Sequence, residues 1–258
     1  SQANTYTAQF AANVRQYTIV FKDAEGNVLQ SSAVNYGETP VYSGSTPTKT
    51  PTAQYTYVFS GWSPEIEAVS GDAEYVAQFS EIIRQYTVSF NANGHGTAPE
   101  SQVLNYGAAV VEPAAPTATG WTFGGWFQEA ACTNQWIFGT YYVVEDVELF
   151  AKWTQNSWAL TWNANGGVLS GEYTNGQVLY GAAITAPTAT RTGYDFAGWD
   201  NPVPATMPDN ALSFTAQWTI HTYSNLTFTS EDENKGTVSV TGEKAEYQYG
   251  DQVTITAK

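Results

Sequence analysis

The sequence is short of cysteine, of histidine and of positive charge, and each shortage removes a class of function. Cys132 is the only cysteine among 258 residues. No intrachain disulfide can therefore staple the fold, and no multi-cysteine zinc site can form. His95 and His221 are the only histidines. Neither has metal-ligand spacing, and neither has a partner placed for a catalytic triad. Cys132 has no histidine near it in the chain to activate a thiolate. Lys and Arg number 9 against 24 Asp and Glu, a formal charge of −15. That balance argues against nucleic acid, whose phosphates must be neutralised by cations, and against an anionic membrane surface. No apolar run approaches the ~20 residues of a spanning helix. No secretory leader follows Ser1, so an excised or processed piece of a longer protein is expected. No glycine motif for nucleotide phosphates appears; "NGGVLSG" (Asn165–Gly171) reads as turn chemistry.

Aromatic residues, by contrast, make up 15% of the chain, more than the 13% that are charged. They recur in a fixed order of four landmarks. An alternating strand comes first: "YTIVF" at Tyr17, "YTVSF" at Tyr86 and "WALTW" at Trp158. An apolar residue leading to Tyr-Gly follows, in "VNYG", "LNYG" and "VLYG", with Tyr36, Tyr106 and Tyr180. The third landmark is aromatic-x-Gly-Trp, in "FSGW", "FGGW" and "FAGW", with Trp62, Trp126 and Trp199. The fourth is a closing strand, "YVAQF", "LFAKW" and "FTAQW", ending at Phe79, Trp153 and Trp218. Self-similarity at a fixed period identifies an array of small units. Three complete repeats are expected, at 17–79, 86–153 and 158–218. Residues 1–16 carry "YTAQF" (Tyr6–Phe10) and "VRQY", the closing strand and connector of a preceding repeat. Residues 225–258 read as a truncated, divergent repeat: "LTFTSEDENKGTVSV" followed by "YQYGDQVTITAK" has an opening strand and a Tyr-Gly element, and its incomplete core would need packing against repeat three.

Within a repeat, Tyr86, Val88 and Phe90 alternate with Thr87 and Ser89, which puts one strand face inward. "NANG" (Asn91–Gly94 and Asn163–Gly166) and "DAEGN" (Asp23–Asn27) supply the positive φ of a tight hairpin. Proline-bearing segments such as "EPAAPTATG" and "TAPTATRTG" lack donors and fit edges or crossovers. No long window free of Pro and Gly has helical apolar spacing. The fold class expected is mostly β (α+β at most), with little or no helix.

The order strand, "NANG", "LNYG", Pro-rich crossover, "GWTFGGW", "FAKW" resembles the Listeria–Bacteroides repeat, also called the internalin B-repeat. "GWFQEAACTNQWIFGTYYVVEDVELFAKW" (Gly125–Trp153) is particularly similar. The likeness runs over 17–218, and repeat one departs most, with "DAEGN" in place of "NANG" and a long "SGSTPTKTPTAQ" crossover. The resemblance implies tandem β-grasp-like domains in an elongated arrangement, on secreted or wall-anchored bacterial proteins, and it brings no catalytic residue.

Eight of the nine tryptophans sit where another repeat has an aromatic, so they read as core rather than as ligand stackers. A small domain without disulfide or metal needs such side chains to fill its interior. The expected structural core is Trp62, Trp126, Trp199, Phe79, Trp153, Trp218, Tyr36, Tyr106 and Tyr180, with the Gly of Gly-Trp making room for the indole. Trp136 lies in an insertion peculiar to one repeat; with Phe127 and Tyr141 it is the candidate ligand patch. The acidic stretches "DAEGN" and "SEDENKG" match no EF-hand or nonapeptide calcium loop and read as solvated turns. Lys22, Lys49 and Lys152 do not recur at one repeat position, against a Lys–Asn isopeptide crosslink. No catalytic, cofactor or metal site is expected. The function expected is a monomeric spacer or stalk at the bacterial cell surface or wall, joined by short connectors ("SEIIRQ", "TQNS", "TIHTYS") and projecting a distal domain of the same polypeptide. The alternative is an adhesive module whose loops contact a host protein or glycan.

Overall fold

The computed structural model describes residues 1–224, 226–229, 231, 234, 236–241 and 244–257. Its regular structure is all β; no helix occurs among the described residues. The first sheet contains β1 (Gln16–Lys22), β2 (Val28–Asn35), β3 (Tyr55–Ser63) and β4 (Ala73–Ile83). The second contains β5 (Gln85–Asn91), β6 (Gln102–Asn105), β7 (Trp121–Phe127) and β8 (Val147–Gln155). In the third region come β9 (Ser157–Asn163), β10 (Val168–Ser170), β11 (Gly176–Leu179), β12 (Thr188–Thr190), β13 (Tyr194–Trp199) and β14 (Leu212–Ile220). The chain then adds β15 (Thr222–Ser224), β16 (Val238–Thr241), β17 (Glu246–Gln248) and β18 (Thr254–Ala257).

The same topology appears three times. The four-stranded sheets are ordered β2-β1-β4-β3, β6-β5-β8-β7 and β11-β9-β14-β13. In each, the opening and closing strands are parallel neighbours: β1 with β4, β5 with β8, β9 with β14. A parallel pair cannot be joined by a tight turn, so everything between the two strands forms the crossover. The proline segments fall there, outside the central strands, as their missing donors require. Two smaller pairings, β15 with β17 and β16 with β18, follow in the last segment. The expected stretch "LTFTSEDENKGTVSV" carries β16 at its end, and β15 (Thr222–Ser224) precedes it; Leu226–Thr229 is described and is not strand, and Ser230 lies outside the described residues.

Two compact units divide the chain: residues 1–91, 98–114 and 126–150, and residues 92–97, 115–125 and 151–258. In the first unit, Ile19, Phe21, Val69 and Tyr75 form a core, with Trp62, Tyr42 and Val34 packed against it. Tyr86, Val88, Phe90, Trp126 and Leu149 are also buried in this unit. The alternation expected for β5 is present, since Tyr86, Val88 and Phe90 are buried and Thr87 is exposed. In the second unit, Leu160, Val178, Met207 and Phe214 form the core, flanked by Trp162 and Trp199.

The Gly-Trp element owes its glycine to backbone conformation. Its register shifts between Phe59 and Gly61 against β4, and between Phe196 and Gly198 against β14. An inserted residue of this kind is a β-bulge, and it reverses the side-chain alternation beyond it. Phe59 and Trp62, three residues apart, therefore share one face, where their rings meet at 5.3 Å; Phe196 and Trp199 do the same at 5.4 Å. Gly61, Gly125 and Gly198 have φ of 140°, 105° and 111°. The expected packing role is corrected: a Cβ at Gly61 or Gly198 would meet nothing within 4 Å. Glycine is required by the positive φ, not by the indole. The indole itself lands against the last aromatic of the opening strand, edge-on at 4.7 Å for Phe21–Trp62 and 4.9 Å for Phe90–Trp126, and tilted at 4.7 Å for Trp162–Trp199.

The closing aromatics lie further along the same face, where β8 and β14 outrun their parallel partners. There the "NANG" turn caps them. Trp153 donates its indole N–H to the Ala92 carbonyl at 2.8 Å, and Trp218 to Ala164 at 3.1 Å. Asn93 and Asn165 bond back to the carbonyls of Ala151 and Ala216. In the first sheet "DAEGN" replaces the turn and Phe79, which has no N–H to place, replaces tryptophan. The turns have the positive φ expected, at Asn93, Gly94, Asn165 and Gly166. The tight hairpin they were expected to close exists only between β1 and β2. After β5 and β9 the chain makes a longer excursion, since β6 starts at Gln102 and β11 at Gly176.

Candidate functional site: the junction between sheets

Successive sheets are joined far more tightly than the expected connectors allow. Arg84 alone separates β4 from β5, Asn156 alone separates β8 from β9, and His221 alone separates β14 from β15. Each of these residues donates its backbone N–H to the residue that leads into the preceding third strand. The bonds run from Arg84 to Gln54, from Asn156 to Gly120 and from His221 to Gly193, all at 2.9 Å. The carbonyl is engaged on the other side. It accepts from the tyrosine of the following Tyr-Gly: Tyr106 N–H to Arg84 at 2.8 Å and Tyr180 N–H to Asn156 at 2.9 Å. A connector with both backbone groups bonded cannot rotate without breaking one of them.

The most elaborate junction, around Asn156, lies wholly within the second unit. Asp209 gathers three donors: Gly120 N–H at 3.0 Å, the Asn156 side-chain amide at 3.1 Å and the Trp158 indole N–H at 3.0 Å. Thr122 Oγ1 donates to Asn156 Oδ1 at 2.6 Å, and Gln155 to the Tyr180 carbonyl at 2.8 Å. Donation by Asn156, then by Gly120 and Trp158, holds the Asp209 carboxyl below its ordinary value of 3.8. The Tyr180 ring lies directly on Gly120, so close that a Cβ there would fall 2.0 Å from the ring. Gly193 and Tyr249 repeat the arrangement at 1.9 Å, which packs the last segment against the third sheet. At the first junction, in the other unit, Gln54 replaces the glycine. The Tyr86 hydroxyl donates to the Ala53 carbonyl at 2.6 Å, and Arg84 Nη1 to the Thr52 carbonyl at 3.1 Å.

Asp209 was missed in the sequence, and its register held the clue. Counted back from the closing strand, Asp72 and Asp146 share one position, where they accept the backbone N–H groups of Thr18 and Thr87 at 2.8 and 2.6 Å. The third repeat has Ala211 there and moves its aspartate two residues earlier, to where the junction can use it.

Of the tyrosines expected in the core, Tyr36 is corrected. Tyr36 is 61% exposed. Tyr106 and Tyr180 are half-buried, and Tyr180 lies against Gly120 rather than in an interior. Trp126 is fully buried at 1% exposure, while Trp62, Trp199, Phe79, Trp153 and Trp218 are half-buried. The ligand patch is corrected too. Phe127 and Trp136 are only 6% and 7% exposed, and Tyr141 alone of the three is exposed. The insertion folds back on β7: the Trp136 backbone N–H donates to the Trp126 carbonyl at 2.8 Å, and Phe127 pairs with Gln135. Its base is closed by Glu129, which accepts from Thr133 and Asn134; donation by Thr133 first holds its carboxyl below the usual glutamate value.

Asp23 accepts from the backbone N–H groups of Glu25 and Asn27 and from the Asn27 side chain, the chemistry of a turn. "SEDENKG" falls largely outside the described residues, at Ser230, Asp232, Glu233 and Lys235. Of the lysines, Lys22 pairs with Glu74 at 2.7 Å, and Lys49 lies 4.3 Å over the Tyr57 ring. No helix among the described residues is long and apolar enough to cross a membrane.

Comparison with known proteins places this architecture. Two proteins of Evansella cellulosilytica are similar, one described as a membrane protein (29% identity) and one as a Gly-rich membrane protein (31% identity). Each alignment covers 76% of this chain but only 30% and 24% of the relative. Internalin H of Listeria monocytogenes is 32% identical over 46% of this chain and 20% of its own length. The chain thus spans less than a third of each of these relatives. Among solved structures, SHIRT domains 3-4 of a streptococcal cell surface protein align with 54% of this chain and 96% of that one. The identity is 16% and the TM-score 0.27. The model of the Listeria-Bacteroides repeat domain matches residues 86–152 and 158–231, the second match running past the expected end at Trp218. Those matches cover more than half of the sequence, and the chain belongs to the Listeria–Bacteroides repeat family.

Proposed function

We propose that the chain is a non-catalytic, tandem-repeat spacer of a bacterial cell-surface or secreted protein, and that it projects a distal domain of the same polypeptide. One observation carries the reading: a single connector residue with its N–H bonded to the preceding sheet and its carbonyl to the following one. Joints of that kind suit transmission of direction along a polypeptide better than free swivelling. Family membership supports a repeat role, and the names of the relatives, an internalin and two membrane proteins, support the cell surface as its place. Those relatives are several times longer than the aligned region, which leaves room for the domain a spacer would carry.

The repeat boundaries proposed are 17–79, 86–153 and 158–218. The residues before 17 belong to a preceding unit, and those from 225 to a divergent one. A sheet ordered second-first-fourth-third around a parallel central pair supports a β-grasp-like description without the helix. The high acidic charge favours a monomer through mutual repulsion. The adhesive alternative, contact with a host protein or glycan, loses its patch with the burial of Phe127 and Trp136.

Small-angle scattering tests the spacer. A compact globule of this length would have a radius of gyration of about 18 Å. The expected value is clearly larger, and a result at the compact figure would refute the reading.

A further inference from the structure

The Tyr-Gly tyrosines differ in one respect that the repeat pattern does not explain. The Tyr180 and Tyr249 rings each lie against a positive-φ glycine that leads into a third strand, Gly120 and Gly193, although Tyr249 keeps 52% exposure beside 61% for Tyr36. Tyr36 holds the same backbone place and has no such cover. Its N–H donates to the Arg15 carbonyl at 2.8 Å, as Tyr180 N–H donates to Asn156 and Tyr106 N–H to Arg84. The connector half of a junction is therefore already assembled at Arg15. Around it lies a hollow of about 450 Å³, lined by Asn13, Val14, Arg15, Tyr17 and Tyr36.

Tyr17 adds a second sign. The residue at its place in the next two repeats spends its polar tip at a junction: the Tyr86 hydroxyl on the Ala53 carbonyl, the Trp158 indole on Asp209. The Tyr17 ring stands 6.5 Å from that of Tyr36, and its hydroxyl has no hydrogen bond among the described residues. A third sign lies upstream. "YTAQF" repeats the closing-strand pattern of "YVAQF" and "FTAQW", yet Tyr6 and Phe10 are 90% and 93% exposed and belong to no strand. Closing strands elsewhere in the chain bury their inner row, as Tyr75, Leu149 and Phe214 show. Two large aromatics are thus left bare on a closing-strand pattern.

We propose that the face formed by Arg15, Tyr17 and Tyr36 is a docking surface for one further repeat of this family, the one to which Tyr6–Phe10 supplies the closing strand. Its occupant seats the residue that leads into its third strand on the Tyr36 ring. That residue is glycine, as at Gly120 and Gly193, and its carbonyl accepts the Arg15 N–H as the Gln54 carbonyl accepts that of Arg84. The polar tip of Tyr17 bonds across the joint. The proposal rests on the tandem-repeat reading and specifies which surface continues the array.

The test compares the 258-residue chain with the natural polypeptide that contains it, using tetranitromethane and residue-resolved mass spectrometry. In the shorter chain Tyr36 should nitrate much faster than Tyr180. In the natural polypeptide its rate should drop to that of Tyr180. Equal Tyr36 nitration in both samples overturns the proposal, as does a natural polypeptide with no repeat ending in Tyr6–Phe10. A second readout uses Tyr36→Ala and Tyr36→Phe. The alanine variant should lower the melting temperature of the natural polypeptide and leave the shorter chain unchanged, whereas phenylalanine, which keeps the ring, should be neutral in both. An alanine effect of equal size in both overturns it. A compact particle in scattering with Tyr36 protected would sink the spacer alone; an extended one with Tyr36 unprotected would sink this docking surface alone.

Discussion

Replacing Trp136 by alanine separates a ligand-stacking tryptophan from a structural one. The side chain is 93% removed from solvent, being 7% exposed, and its ring lies 5.0 Å from that of Tyr141. A buried tryptophan hides roughly 150–250 Å², worth about 4–6 kcal/mol as an upper bound at ~25 cal/mol per Å². Large-to-small changes of this kind cost about 3–5 kcal/mol in practice, because the site collapses only in part. A repeat of roughly 70 residues has about 3.5–10 kcal/mol in total at ~0.05–0.15 kcal/mol per residue. Trp136→Ala should therefore remove about 30% or more of the stability of the middle repeat, and lower its melting temperature by at least ~12 °C. Urea titration followed by tryptophan fluorescence and a thermal scan by circular dichroism would measure it. Tyr142→Ala, at an exposed ring, is the control and should stay within about 0.5 kcal/mol of the parent. Trp136→Phe should cost less than alanine. The indole N–H is buried without a hydrogen-bond partner among the described residues, so its removal recovers a desolvation cost. If Trp136→Ala has the urea midpoint of the parent, the insertion is not part of the core and the reasoning fails.

Two further perturbations test other parts of the fold. Gly198→Ala should destabilise the third repeat by about 1–3 kcal/mol through its backbone alone, since φ is 111° and nothing lies within 4 Å of the added methyl. D-alanine introduced there by semisynthesis should be tolerated, and equal losses for both enantiomers would disprove a conformational cause. Asp209 has a folded-state value depressed below 3.8, so its contribution is fully present above that pH and is lost as pH falls through the lower folded value. The Trp158 indole N–H resonance, which reports the bond to Asp209, should shift only below pH 3.8 and should stay flat in Asp209→Asn. A titration that persists in the asparagine variant would assign the effect to another carboxylate.

Much of the fold was legible because its signals are local and repeated. The period-two alternation of Tyr86, Val88 and Phe90 required a one-sided strand, and recurrence of four landmarks required that each unit fold alike. The Gly-Trp element could be located but not explained, because a bulge is defined by the partner strand it is out of step with. Trp136 was misread for the opposite reason. It occurs once, so no second copy testified to its burial, and the strand it covers through Trp126 becomes its neighbour only when the insertion folds back. Asp209 escaped because its donors, Gly120, Asn156 and Trp158, come from a strand entry, a connector and an opening strand far away in the chain.

The amino-acid sequence on its own determined the β character, the repeat and the identity of the main aromatic residues, since these depend on side-chain period and composition. Only the tertiary structure decided which tyrosines are covered, how short the joints are and which aspartate holds one of them. Hydrophobic alternation is a property of a strand by itself, whereas a hydrogen bond across a junction exists only once two separately folded sheets have fixed where their donors and acceptors stand.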